Sequence, residues 1–144
     1  MICQFGGLFL ELNQLLLMEN DNSCNIKRWD ILKRQLKNLA PAEFLKTIQS
    51  KADAILIDVR TPEEFDHGTL PNAINMDFLG GDYWGIFDGL DQTKPVFVFC
   101  RSSRRSVRTA MFMKNGGFHE VYNLEGGLNA LSVEFPQAIV KPAF

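Results

Sequence analysis

Short apolar runs separated by amphipathic stretches set the rhythm of this chain. AILIDV (Ala54–Val59) and PVFVFC (Pro95–Cys100) are continuous apolar segments of strand length, as strands buried on both faces are. EVYNLEGG (Glu120–Gly127) predicts a third strand running into a tight turn, and LPNAINM (Leu70–Met76) a brief one after a Pro-containing turn. Between them the apolar period lengthens. Ile26, Trp29, Ile31, Leu32 and Leu36 recur at near-helical spacing among lysines and arginines, which predicts an amphipathic helix over Asn25–Asn38. LAPAEFLKTIQSK (Leu39–Lys51) predicts a second helix, with Pro41 and Glu43 near its start. TPEEFDHG (Thr61–Gly68) gives a short helix ending at glycine. Asp77–Gln92, rich in aromatics and glycine, reads as a loop with a short helix. RRSVRTAMFMKNGG (Arg104–Gly117) predicts a longer helix, and GLNALSVEF a last one. Strands alternating with helices imply an α/β domain built on a central, mostly parallel sheet flanked by helices.

Composition narrows the class. At 144 residues the chain suits one domain with a substantial core. Its net charge of −2 argues against a nucleic-acid or anionic-membrane surface, so any arginine cluster is a local device. Three cysteines, Cys3, Cys24 and Cys100, form no CxxC pair, and with two histidines the chain predicts neither a metal site nor a cofactor. Widely spaced, odd-numbered thiols suit a reducing compartment, and the expected location is cytoplasmic. MICQFGGLFLELNQLLLMENDN is apolar, but it lacks a basic leading region and a small-residue cleavage site, and Glu11 interrupts it. It is also too short and broken to span a bilayer. Residues 1–37 read as an N-terminal extension, with an upstream start before Met18 left open, and residues 38–144 as the domain.

The candidate chemistry sits at FCRSSRRS (Phe99–Ser106). With PVFVF a buried strand and RRSVRTAM a helix, CRSSRR is the turn between them, and Cys100 stands at the carboxyl end of a parallel strand, the usual ligand edge of such sheets. The helix N-terminus and the arginines Arg101, Arg104 and Arg105 favour a thiolate and attract anions, with no histidine base required. Ser102, Ser103 and Ser106 add hydroxyls that fit a tight turn. A cysteine ending a buried strand is often only a small core residue. The density of cations here favours a function.

Ile57–Phe78 (IDVRTPEEFDHGTLPNAINMDF), Phe99–Phe118 (FCRSSRRSVRTAMFMKNGGF) and Val121–Leu131 (VYNLEGGLNAL) resemble the signature blocks of rhodanese domains, in that family's order and spacing. The resemblance covers Leu39 to Lys141. It implies a three-layer rhodanese-like α/β domain and a sulfurtransferase, in which Cys100 takes a sulfane sulfur from thiosulfate or a persulfide, carries it as a persulfide, and passes it to a thiol or cyanide. Implied partners are a small sulfur-containing anion or persulfide as donor and a thiol acceptor such as thioredoxin or glutathione. Neither nucleic acid nor membrane is implied.

By the same resemblance, Cys100 is the nucleophile and Arg101–Ser106 form the persulfide-binding loop, with Arg101 and Arg104 facing outward. Arg105 turns inward toward Asp58 or Glu64, while Asp58, Arg60 and Glu64 form a supporting polar network. Ser106 caps the loop or helix. Ser103 stands where many relatives have glycine, so its hydroxyl is expected to face the pocket. Thr69 follows Gly68 where the family frequently has histidine, Asn72 replaces a small residue, and Leu131 a common tryptophan. Tyr83, Trp84 and Phe87 are candidates for the pocket mouth, and His67 and His119 receive no role. Two other readings remain open. Phosphatases and arsenate reductases of this fold use C-x5-R loops, but here four residues separate Cys100 from Arg105, a smaller ring suited to one sulfur. A rhodanese-like binding or regulatory module would need no thiol chemistry at all.

Overall fold

The computed structural model describes residues 28–142. Cys3, Cys24, the Met18 start and most of the N-terminal extension lie outside the described residues. Two compact units are distinguished, one up to Gln35 and one from Leu36 onward. The first contains helix α1 (Arg28–Arg34), with Asp30 in its first turn and Lys33 and Arg34 in its last, charges that complement the helix dipole.

The second unit holds a five-stranded, all-parallel sheet. Its strands are β1 (Lys37–Leu39), β2 (Ile55–Asp58), β3 (Ile74–Asn75), β4 (Val96–Phe99) and β5 (Val121–Leu124), in spatial order β1-β5-β4-β2-β3. All four residues of β4 are buried, as its unbroken apolar run requires. Strand alternation splits them. Val96 and Val98 join Ile57, Val59, Ala110 and Met113 on one face, while Phe97 and Phe99 join Phe44, Leu56 and Leu131 on the other. Helices α4 (Tyr83–Asp88) and α5 (Arg104–Asn115) supply the first face, and α2 (Pro41–Gln49) and α6 (Gly127–Glu134) the second. Phe97 is held edge-on by Phe44 at 5.4 Å and stacked on Tyr122 at 4.6 Å. Each such buried aromatic contributes about 1.5–3 kcal/mol.

The short helix α3 (Pro62–His67) starts with a complete capping box: Glu64 N–H donates to the Thr61 hydroxyl, and Thr61 N–H donates to the Glu64 carboxylate. One sequence expectation fails here. The helix over Asn25–Asn38 stops at Arg34, and Lys37–Leu39 is a strand paired with β5. Three residues are too few for alternation to be read, and partnership with β5 outweighs local propensity. The brief strand expected over Leu70–Met76 shrinks to Ile74–Asn75. Among the described residues no helix is long and apolar enough to cross a membrane, and no cluster of three or more metal-ligating side chains occurs.

Candidate active site

Cys100 follows the last residue of β4 and is 1% exposed. The chain then turns through Arg101–Ser103 into α5, with Ser103 in the left-handed region at φ 82°. A non-glycine residue there costs on the order of 1 kcal/mol, so something must hold it. The Ser103 hydroxyl donates to the Leu124 carbonyl at 2.7 Å and is buried. It therefore does not face the pocket, as the sequence suggested; a β5 carbonyl at bonding distance claims it. Ser103 is also the N-cap of α5 yet provides no side-chain cap. The leading N–H groups of α5, which have no intrahelical acceptors, are left to the loop and whatever anion it holds.

The loop is fixed from behind by α6. Leu128 N–H donates to the Cys100 carbonyl at 2.8 Å and Asn129 N–H to the Arg101 carbonyl at 3.0 Å. Gly127, at φ 66°, lies so close that a Cβ there would overlap the Arg101 carbonyl and approach Ser102 N to 2.6 Å. Only a glycine admits this contact.

A buried polar chain leads away from the sulfur. Cys100 Sγ lies 3.4 Å from Ser106 Oγ as donor, and Ser106 Oγ donates to Asn123 Oδ1 at 2.6 Å. Asn123 Nδ2 then donates to Asn38 Oδ1 at 2.8 Å. Ser106 and Asn123 are wholly buried. Ser106 Oγ also lies 3.2 Å from the Ser103 carbonyl, so it ties the loop to α5, as expected of a loop cap, and bridges thiol and sheet as well. The sequence reading missed Asn123 and Asn38, although an asparagine within the apolar run VYNL was a signal.

Two arginine–carboxylate pairs frame the loop. Arg105 turns inward to Glu64, not Asp58, with Nη1 2.9 Å from Oε1 and Nη2 3.3 Å from Oε2. The hydrogen bond from Arg105, with the Thr61 N–H and hydroxyl, holds the Glu64 carboxyl at about 2, and Glu64 raises Arg105 further. Asp58 belongs to Arg60, which meets it through Nε and Nη2 at 3.0 and 2.8 Å, and it also accepts from Thr69 Oγ1 at 2.8 Å. Arg60 Nη2 reaches the Gly68 carbonyl, and Asn75 Nδ2 donates to the Arg60 carbonyl. Arg101, Ser102 and Arg104 are exposed.

Beside the loop lies an open cleft of about 240 Å³ lined by residues including Arg60, Glu64, His67, Arg101, Asn129 and Ser132. A larger cavity of about 490 Å³ lies between α2 and the start of β2, walled by Phe44, Ile48, Leu56 and Leu70. It contains no residue of the Cys100 loop, whereas Arg101 of that loop lines the smaller cleft. Tyr83 and Phe87 are core residues and Trp84 packs on Phe112, so none of the three lines either cavity. The Tyr83 hydroxyl, 2.7 Å from that of Thr109, is raised by burial. His67 lies at the cleft, its Nδ1 bonded to the Glu63 carbonyl, while His119 is exposed elsewhere.

Residues 40–134 match the rhodanese-like domain. Thiosulfate sulfurtransferase GlpE of Pseudomonas syringae is 28% identical over 101 residues, covering 70% of this chain and 92% of that protein. The tRNA uridine(34) hydroxylase of onion yellows phytoplasma is 34% identical over 103 residues, 69% of this chain and 33% of that protein. The chain spans about a third of the length of such hydroxylases. The solved polysulfide-sulfur transferase homodimer of Wolinella succinogenes is 30% identical, with a TM-score of 0.64 over 78% of this chain and 83% of that one.

Proposed function

The chain belongs to the rhodanese-like domain family, and we propose that it is a sulfurtransferase working through a persulfide on Cys100. The observation that carries this reading is the loop itself: a thiol at the carboxyl end of the central strand, facing the side-chain-uncapped N-terminus of α5. The Cys100 thiolate attacks the outer sulfur of thiosulfate. The donor S–S bond breaks, and sulfite leaves with the electron pair. The new outer sulfur, now the anionic end of a persulfide, rests against backbone N–H groups arranged before it arrives, as an oxyanion does in a prepared hole. Arg101 and Arg104 draw the doubly charged donor to the mouth. A thiolate or cyanide then attacks that sulfur, takes it, and returns Cys100 as thiolate, giving ping-pong order. Arg105, pinned by Glu64, fastens the start of α5 to α3 and does not itself reach the donor.

We infer a small anion or persulfide as donor, a reading supported by the cleft of about 240 Å³ and by Arg60 and Arg101 in its lining, and a thiol such as glutathione or thioredoxin as acceptor. We place the protein in the reducing interior of the cell, a reading supported by its odd, widely spaced cysteines. The four-residue spacing between Cys100 and Arg105 makes a ring sized for one sulfur rather than a phosphate. The test is mass spectrometry of the Cys100 peptide after thiosulfate or a small persulfide, then cyanide. The expected result is a gain of one sulfur that cyanide removes. An unmodified Cys100 after both donors overturns the reading and leaves a binding module.

A further inference from the structure

The buried chain from Cys100 to Asn38 has a direction, and that direction suits only the neutral thiol. A serine hydroxyl has one proton. Here it goes to Asn123 Oδ1 at 2.6 Å, so Ser106 Oγ meets Cys100 Sγ at 3.4 Å through a lone pair. The thiol proton fills that contact. Once Cys100 ionises, two electron-rich atoms would face each other inside a site that is 0–1% exposed, a costly arrangement.

We propose that the chain reverses its polarity when Cys100 ionises. The Cys100 proton leaves to solvent. Ser106 then rotates to donate to the sulfur, and the Asn123 amide turns over so that Nδ2 donates to Ser106 Oγ and Oδ1 accepts from Asn38 Nδ2. No bond other than S–H breaks, and no proton passes along the chain. Both amides present oxygen and nitrogen at nearly the same places, so the turnover changes little in shape, and it gives up the long 3.4 Å bond from Asn38 Nδ2 to the Leu36 carbonyl. The Ser103 carbonyl is a second acceptor within reach of Ser106 Oγ, but at 3.2 Å it is farther than Asn123 Oδ1 at 2.6 Å, and it keeps its bond from Val107 N–H at 2.9 Å when the hydroxyl rotates. In this way Asn38, on β1, acts as a positioning residue for a thiolate it does not touch. Serine, asparagine and asparagine each offer both a donor and an acceptor, which the reversal demands of every member.

The charged groups around the loop are Arg101, Arg104 and Arg105, with Glu64 on α3, Asp58 and Arg60 at the end of β2, and Glu125 after β5. All stay unchanged in the test. The inference deepens the sulfurtransferase reading, but its readout needs only a thiolate, so the two fail separately.

The measurement is the rate of Cys100 alkylation by iodoacetamide between pH 6 and 9, followed on the Cys100 peptide at about 0.5 M salt, where charges acting through solvent are screened. An aspartate at position 38 can only accept, which holds the chain in its thiol-favouring direction. Asn38→Asp is therefore expected to slow alkylation at pH 7 about tenfold, the worth of roughly one hydrogen bond, and to move the rise in rate to higher pH. Asn38→Ser, which can donate and accept, restores a near-native profile. In a Ser106→Ala background the Asn38→Asp effect disappears, because the link to sulfur is gone. An equal slowing with and without the Ser106 hydroxyl overturns the proposal, as does an Asn38→Asp profile identical to that of the native chain. Both tests use folded protein, checked by its thermal transition.

Discussion

The Asp58–Arg60 and Glu64–Arg105 pairs join the same two kinds of side chain at the same edge of the sheet, yet they are built differently. Asp58 and Arg60 are two residues apart, with side chains 0% and 7% exposed, and Thr69 and Gly68 complete the bonding of the pair. Glu64 and Arg105 are 41 residues apart, with side chains 25% and 22% exposed, and join α3 to the first turn of α5. The first pair shapes the end of a strand from within it. The second fastens the reactive loop to a neighbouring element across a partly wet gap. Burial, not chemistry, separates a fixed frame from an adjustable clasp.

Breaking the first pair is expected to have the largest effect. Asp58→Asn strips the counter-charge from a buried arginine and should destabilise the fold by about 3–5 kcal/mol, read from denaturant midpoints at constant slope. A loss below about 1 kcal/mol would show that water reaches Arg60 and would erase the contrast. Thr69→Val removes one donor from Asp58 while keeping the shape, and should cost about 1–3 kcal/mol in the same measurement. Glu64→Gln keeps the shape of the clasp without its charge and should cost only about 0.5–1 kcal/mol. Its signature is in pH. Glu64 titrates at about 2 in the fold, below the ordinary carboxylate range of the unfolded chain. As acid is added the unfolded chain takes up this proton first, so the contribution of Glu64 is full above about pH 5 and lost on the way down to about 2. The stability difference between the native chain and Glu64→Gln should shrink across that window in acid titrations of unfolding. A constant difference would remove Glu64 from the account.

The central strands were readable because β2 and β4 are apolar runs buried on both faces, and the cysteine loop because three arginines and three serines crowd the six residues after Cys100. The partner of Arg105 was narrowed only to two carboxylates, since both lie in one block and only the path of α3 decides between them. β1 escaped because a three-residue edge strand carries no period. Asn123 and Asn38 escaped because a side-chain bond across 85 residues leaves no local trace. Ser103 was misjudged because its φ was inferable from its place in the turn, but the Leu124 carbonyl waiting for its hydroxyl was not.

The pairing of β1 with β5 also sets a timetable for synthesis. β1 leaves the ribosome well before β5, its one neighbour among the described strands, and Asn38 precedes Asn123 by 85 residues. At ordinary translation speeds that interval is on the order of ten seconds. Through it, the nascent chain exposes Cys100 and an unpaired strand edge together for a part of the wait, and the thiol gains its full set of neighbours only when β5 and α6 arrive. The nucleophile's site is therefore completed only by the segments that follow it, β5 and α6, while β1 waits longest of all for its partner.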